Sequence, residues 1–284
     1  MAAPRAPDVI ATRPPSVQVF GPGGSPWEGG DLRREVFWVL SGAERLSASL
    51  YSARGKAPTL GVVVLPTWGG WGRDGRLLLE WCHRLAAGVA GQGGCGLLVQ
   101  WPGHEDSEGD ASKLTFERLV EVALDALSAG RERFPSAPWS LAGIRLGGAV
   151  VALAGEAGAV SAALLIQPDL DPAQYFDQVE RIARRNLLLG ESFNPHTGWS
   201  VDDVEIPDGL RGRDWAPRLH TALESLRCTA GVLRYSSPNP ERLPGNVMDI
   251  RVDGNWWWPP AGDHRLLRRR ALDFLGSRRA PVKR

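Results

Sequence analysis

Residues Trp139–Gly155, WSLAGIRLGGAVVALAG, decide how the rest of the chain is read. Trp139 to Ala142 has the apolar content of a short buried strand, and Gly148 to Ala154 that of a buried helix. Between them lies Gly143-Ile144-Arg145-Leu146-Gly147, with a glycine two residues before and two after its apex, Arg145. Glycines so placed let a strand and the helix that follows it approach closely, because neither position carries a Cβ. A sharp strand-to-helix turn of this kind lifts its apex side chain above the end of a sheet.

The flanking sequence repeats the same alternation. Leu60 to Leu65 (LGVVVL) is a continuous apolar run, the mark of a strand covered on both faces. Arg76 to Ala90 has helical spacing, with Leu77, Trp81, Leu85 and Val89 four apart. Gly96 to Trp101 is the next strand, and Thr115 to Arg131 an amphipathic helix that Thr115 is placed to cap. Val160 to Gln167 follows the central stretch as another buried strand. Thr229 to Tyr235 and Val247 to Val252 are two more, and Asp263 to Ser277 is a closing amphipathic helix. Before all of these, Arg34 to Ser52 splits at Ser41-Gly42-Ala43-Glu44 into a hairpin. The fold class expected is α/β, a mostly parallel open sheet with helices on both faces and an antiparallel edge. Its domain plan is a flexible leader over 1–32, core over 33–170, a cap or lid inserted over 171–228, core again over 229–277, and a tail over 278–284.

Bulk properties restrict the function. With 284 residues, 43% hydrophobic and 23% charged, the chain has the composition of an ordinary globular protein with room for a large core. A net charge of +1 gives no electrostatic reason for nucleic acid or a membrane surface as partner. Cys82, Cys95 and Cys228 are odd in number, lack metal-ligand spacing and sit in apolar settings. They are expected to be buried free thiols of a cytoplasmic protein. No apolar run approaches the roughly 18 residues needed to span a bilayer. No metal and no cofactor is expected, since Cys/His spacings, a P-loop lysine and a properly placed G-x-G-x-x-G are all absent.

The order of elements over Arg34 to Leu275 resembles the α/β-hydrolase superfamily, whose nucleophile elbow is G-x-S-x-G. Leu65-Pro66-Thr67-Trp68-Gly69-Gly70 stands where that family keeps its oxyanion-hole loop. Trp101 to Asp110 (WPGHEDSEGD) resembles the D-x-x-G-x-G-x-S-x-G loop of its serine-aminopeptidase-like branch. The elbow, followed by Leu165-Ile166-Gln167-Pro168 and a basic helix, is similar to the hydrolases associated with bacterial exosortase systems. Members of that group also tend to carry Arg, not Ser, at the apex.

The resemblance implies a nucleophile, then an acid, then a His in chain order. The nucleophile position holds Arg145, whose guanidinium stays protonated and does not attack a carbonyl. Two readings of Arg145 stay open: a degenerate elbow kept for folding, or an anchor for a carboxylate, phosphate or sulfate at a helix N-terminus. His264, before the last helix, occupies the position of the catalytic His. The usual acid position, Ser236 to Glu241, has no Asp, and Glu241 is a substitute there. Asp169 and Asp171 are either an alternative acid or caps of the next helix. Thr67, Trp68, Gly69, Leu146, His104 and Trp256 are the expected binding residues, the tryptophans forming an aromatic pocket at the strand ends. The expected ligand is a small anionic or acyl molecule bound by a non-catalytic or atypical member of the fold. The alternative is an active hydrolase or acyltransferase that uses non-standard residues.

Overall fold

Every residue of Gly61–Leu65, Cys95–Val99, Trp139–Ile144 and Ala162–Ile166 is buried. The continuous apolar runs therefore have the cause expected of them, cover on both faces. In the computed structural model, which describes residues 16–19, 32–68, 72–158, 160–177, 207–210, 212, 214–235, 243–252 and 263–277, these four strands form the middle of one sheet. In chain order its strands are β1 (Ser16–Val19), β2 (Leu32–Ser41), β3 (Glu44–Ala53), β4 (Gly61–Leu65), β5 (Cys95–Val99), β6 (Trp139–Ile144), β7 (Ala162–Ile166), β8 (Thr229–Tyr235) and β9 (Val247–Val252). Their spatial order is β1-β2-β3-β5-β4-β6-β7-β8-β9. β1, β2, β3 and β5 pair antiparallel, and all pairs from β5 through β4 to β9 are parallel.

Alternate side chains of one strand go to opposite cores. Val63 and Leu65 join one cluster with α2 (Phe116–Arg133), α3 (Leu146–Ala157) and α4 (Trp215–Ser225). Val62 and Val64 join the other with α1 (Gly72–Gly91) and α5 (Asp263–Gly276). Thr115 caps α2 as expected, its Oγ1 accepting from the Arg118 N–H at 3.2 Å. Arg118 also ties α2 to the β2–β3 hairpin. It donates to the Ser41 hydroxyl and carbonyl at 2.8 and 2.7 Å and pairs with Glu44 at 2.8 Å.

Two segments of the expected domain plan fall partly on described residues. The leader expected to be flexible over 1–32 contains β1, which adds an antiparallel strand to β2 with Ser16 opposite Val36. Leu32 opens β2, and residues 1–15 and 20–31 lie outside the described ones. The cap expected over 171–228 is described only in part. Residues 172–177 are helical, and α4 is seated against α3 with Leu219, Ala222 and Leu223 fully buried. That half of the insertion thus shares the main core. Residues 178–206, which include Arg181, Arg184 and Arg185 of the expected basic helix, lie outside the described residues.

Candidate functional site at the strand-to-helix turn

β6 ends at Ile144 and α3 begins at Leu146, so a single residue turns the chain. Arg145 does this with φ 55° and ψ −119°, a left-handed backbone conformation that costs a non-glycine residue about 1–3 kcal/mol. Backbone contacts over-determine it. The Arg145 N–H donates to the Ile166 carbonyl at the end of β7 at 2.9 Å. Its carbonyl accepts from Gly148 and Ala149 at 2.8 and 3.2 Å. A Cβ on Gly143 would collide with the Gly147 carbonyl, and one on Gly147 with the carbonyls of Pro66 and Leu65. The two glycines are therefore required by the close packing of β6, α3 and the end of β4.

The Arg145 side chain meets a group that the sequence left between two roles. Its Nη1 lies 3.2 Å from Asp169 Oδ1, and the two side chains are 22% and 8% exposed. That contact is longer than the roughly 2.7–2.9 Å of a tight charge-assisted bond. The other carboxylate oxygen, Oδ2, is buried and has no hydrogen-bond partner among the described residues. Burial pushes the Asp169 carboxyl up to about 6, against the opposing pull of the Arg145 cation. Asp171 takes the capping role: its Oδ1 accepts from the Gln174 N–H at 3.0 Å.

Tyr175, which no sequence motif marked, completes the cluster. Its ring centroid is 5.7 Å from the Arg145 guanidinium carbon, within cation–π range. Burial and the Asp169 carboxylate push its phenol up to about 12, while Arg145 and a hydrogen bond to the Thr67 side chain oppose the shift. Phe176 stands edge-on to both Tyr175 and Trp68, with centroids 5.1 and 5.5 Å away. A cation, a buried carboxylate and three aromatic rings thus lie together at the C-terminal ends of β4, β6 and β7. The only sign of Tyr175 in the sequence was its place in the first turn of the helix opened by Asp171.

The other expected residues are distributed as follows. Thr67 and Trp68 are buried in the loop after β4, and Leu146 is fully buried at the start of α3. His104 is buried in the loop after β5. Its Nδ1–H donates to the Pro102 carbonyl at 3.1 Å, and burial holds its pKa below the usual value. That loop is anchored on the hairpin through Glu108 to Arg45 and Ser107 to the Ser47 N–H. His264 falls in the first turn of α5, with its side chain outside the described ones. Gly69, Trp256 and Glu241 lie outside the described residues. His83 belongs to a different place: its Nδ1 meets the Tyr51 hydroxyl at 2.8 Å between α1 and β3, and burial and Arg34 push it down to about 4. Burial pushes the Cys82 and Cys95 thiols up to about 12, which suppresses the nucleophilic thiolate. Among the described residues no cluster of His, Cys, Asp or Glu has the arrangement of a metal site.

No known family's sequence profile matches the chain, and no curated protein sequence does. Solved structures do. A ferulic-acid-bound Est1E from Butyrivibrio proteoclasticus is 18% identical with a TM-score of 0.58, over 85% of this chain and 98% of that one. An esterase from Pyrococcus furiosus is 11% identical with a TM-score of 0.59, over 87% and 91%. The thioesterase domain from the curacin biosynthetic pathway is 12% identical with a TM-score of 0.53, over 87% and 99%. At these identities the likeness speaks for architecture, and it agrees with the mostly parallel sheet and its two helical layers. The chain has the α/β-hydrolase fold.

Proposed function

We propose that this is an α/β-hydrolase-fold protein without a serine nucleophile, in which Arg145 and Asp169 hold the anionic or acyl group of a small molecule. The observation that carries the reading is the Arg145 backbone. A strained elbow conformation is retained at the very position where the fold presents its reactive group, and the side chain presented is a guanidinium facing a buried carboxylate. Strained residues of this kind cluster at active sites and ligand clamps, where the surrounding structure holds them. Beside the pair, Phe176 and Trp68 are buried in the core and pack on each other, with Tyr175 against Phe176, so the surroundings of the pair are apolar. The free thiols, Cys82 and Cys95 buried and Cys228 half-buried rather than buried as expected, support the cytoplasmic location carried over from the sequence. The elbow with its apical Arg supports the resemblance to exosortase-associated hydrolases, which is the subgroup we assign.

A second reading has one observation in its favour. A carboxyl at about 6 is in the range of a general base, so Asp169 could activate water for an acyl transfer. A panel of p-nitrophenyl esters and a serine-directed fluorophosphonate probe separate the two. Binding without catalysis predicts no covalent labelling and no turnover above that of the Arg145→Ala variant. Labelling at any serine, or turnover lost in Asp169→Asn, would overturn the non-catalytic reading in favour of the second.

A further inference from the structure

The Arg145–Asp169 pair has a consequence for what can bind. The guanidinium that would anchor an anion already faces a carboxylate, in a site where Asp169 is 8% exposed. A second carboxylate placed on Arg145 would share one cation with Asp169 in a poorly solvated space. Two carboxylates so close cannot both stay ionised without cost, and one of them takes up a proton. Asp169 is the group equipped for this. Its Oδ2 is buried with no hydrogen-bond partner among the described residues, and a protonated oxygen there becomes a donor to the incoming anion. Two charged or titratable groups among the described residues face it. Arg145 comes from the β6–α3 turn. From the helical turn over 172–177 comes Tyr175, whose hydroxyl meets Thr67 of the loop after β4.

Resting on the reading of Arg145 as an anchor, we infer that the ligand is a monocarboxylate and that it binds together with one proton, taken up by Asp169. The balance is simple: a carboxylate and a proton enter, the carboxylate pairs with Arg145, and the proton bonds to Asp169 Oδ2. The Arg145–Asp169 pair has zero net charge before binding, and again with the carboxylate and proton bound. A phosphate dianion fits the same site badly, because one cation and one proton leave it negative. Asp169, poised at about 6, is ionised in the free protein at neutral pH and within reach of protonation when the anion arrives.

The test titrates the full chain with benzoate by calorimetry between pH 5.5 and 8.5, in buffers of different ionisation heats. The expected result is uptake of about one proton per benzoate at pH 7.5 and affinity that falls about tenfold per pH unit above about pH 6. Asp169→Asn, a neutral mimic of the protonated acid, is expected to bind benzoate about thirtyfold more tightly at pH 7.5, with no pH dependence. Benzoate binding by the unmodified chain with constant affinity and no proton uptake would overturn the proton link and leave the anchor standing. Failure of Asp169→Asn to bind benzoate at any of these pH values, or unchanged affinity in Arg145→Ala, would overturn the anchor itself.

Discussion

Replacing Asp169 by Asn is expected to stabilise the protein at alkaline pH and to leave it nearly unchanged in acid. The Asp169 carboxyl is at about 6 in the folded chain, against an ordinary value of 3.8. A raised carboxyl pKa means that the folded state binds the proton more tightly than the unfolded state. Stability therefore falls as pH rises from about 3.8 to about 6, and the full loss is present above that. At about 1.36 kcal/mol per unit, the cost of holding the ionised form is about 3 kcal/mol. Asn carries no charge and avoids that cost. Urea unfolding of both proteins at pH 4 and pH 8, with the difference taken at each pH, cancels every other titrating group. Because about 0.5 kcal/mol of that cost is already present at pH 4, the expected difference grows by about 2.5 kcal/mol in favour of the variant between the two pH values. Arg145→Ala moves the other way, since it leaves the buried carboxylate without its counter-charge, and its destabilisation is larger at pH 8 than at pH 4. A stability difference between Asp169→Asn and the unmodified chain that is the same at both pH values would refute the reasoning.

Gly143→Ala is expected to cost about 4 kcal/mol or to prevent folding, because the added methyl would overlap the Gly147 backbone at the turn; thermal melting of soluble protein measures it. Arg118→Ala removes the hydrogen bonds to Ser41 and the ion pair to Glu44 from a side chain that is 21% exposed. A loss of about 2 kcal/mol in chemical unfolding is expected, with faster amide exchange in the β2–β3 hairpin than in β6.

The sheet was legible because its strands are buried on both faces, so that LGVVVL and its counterparts need no alternation to be recognised. Helix α2 was legible from Thr115 and the spacing of Leu119, Ala123 and Leu127, all buried on one side. The strand β1 was not legible. SVQV lies among prolines and glycines, and only its partner Arg33–Val36 makes it a strand. The site was half legible. Arg145 followed from the glycine spacing, and Asp169 was open between a second acid and a helix cap. Local sequence cannot choose, since the choice depends on Asp171 taking the cap and on a contact across 24 positions. Tyr175 was invisible for a related reason: its role arises from where the helical turn is laid down, and nothing in its neighbours encodes that.

The turn at Arg145 also bears on how such a protein changes over evolutionary time. No hydrogen bond from its own side chain caps α3, and the turn is held by main-chain contacts to β7 and by the glycines at 143 and 147. The position is therefore a socket whose shape is independent of its content. A one-residue exchange there alters the chemistry offered at the sheet edge while the scaffold stays intact. Ancestry at this place can be read from the glycines, and activity only from the side chain between them.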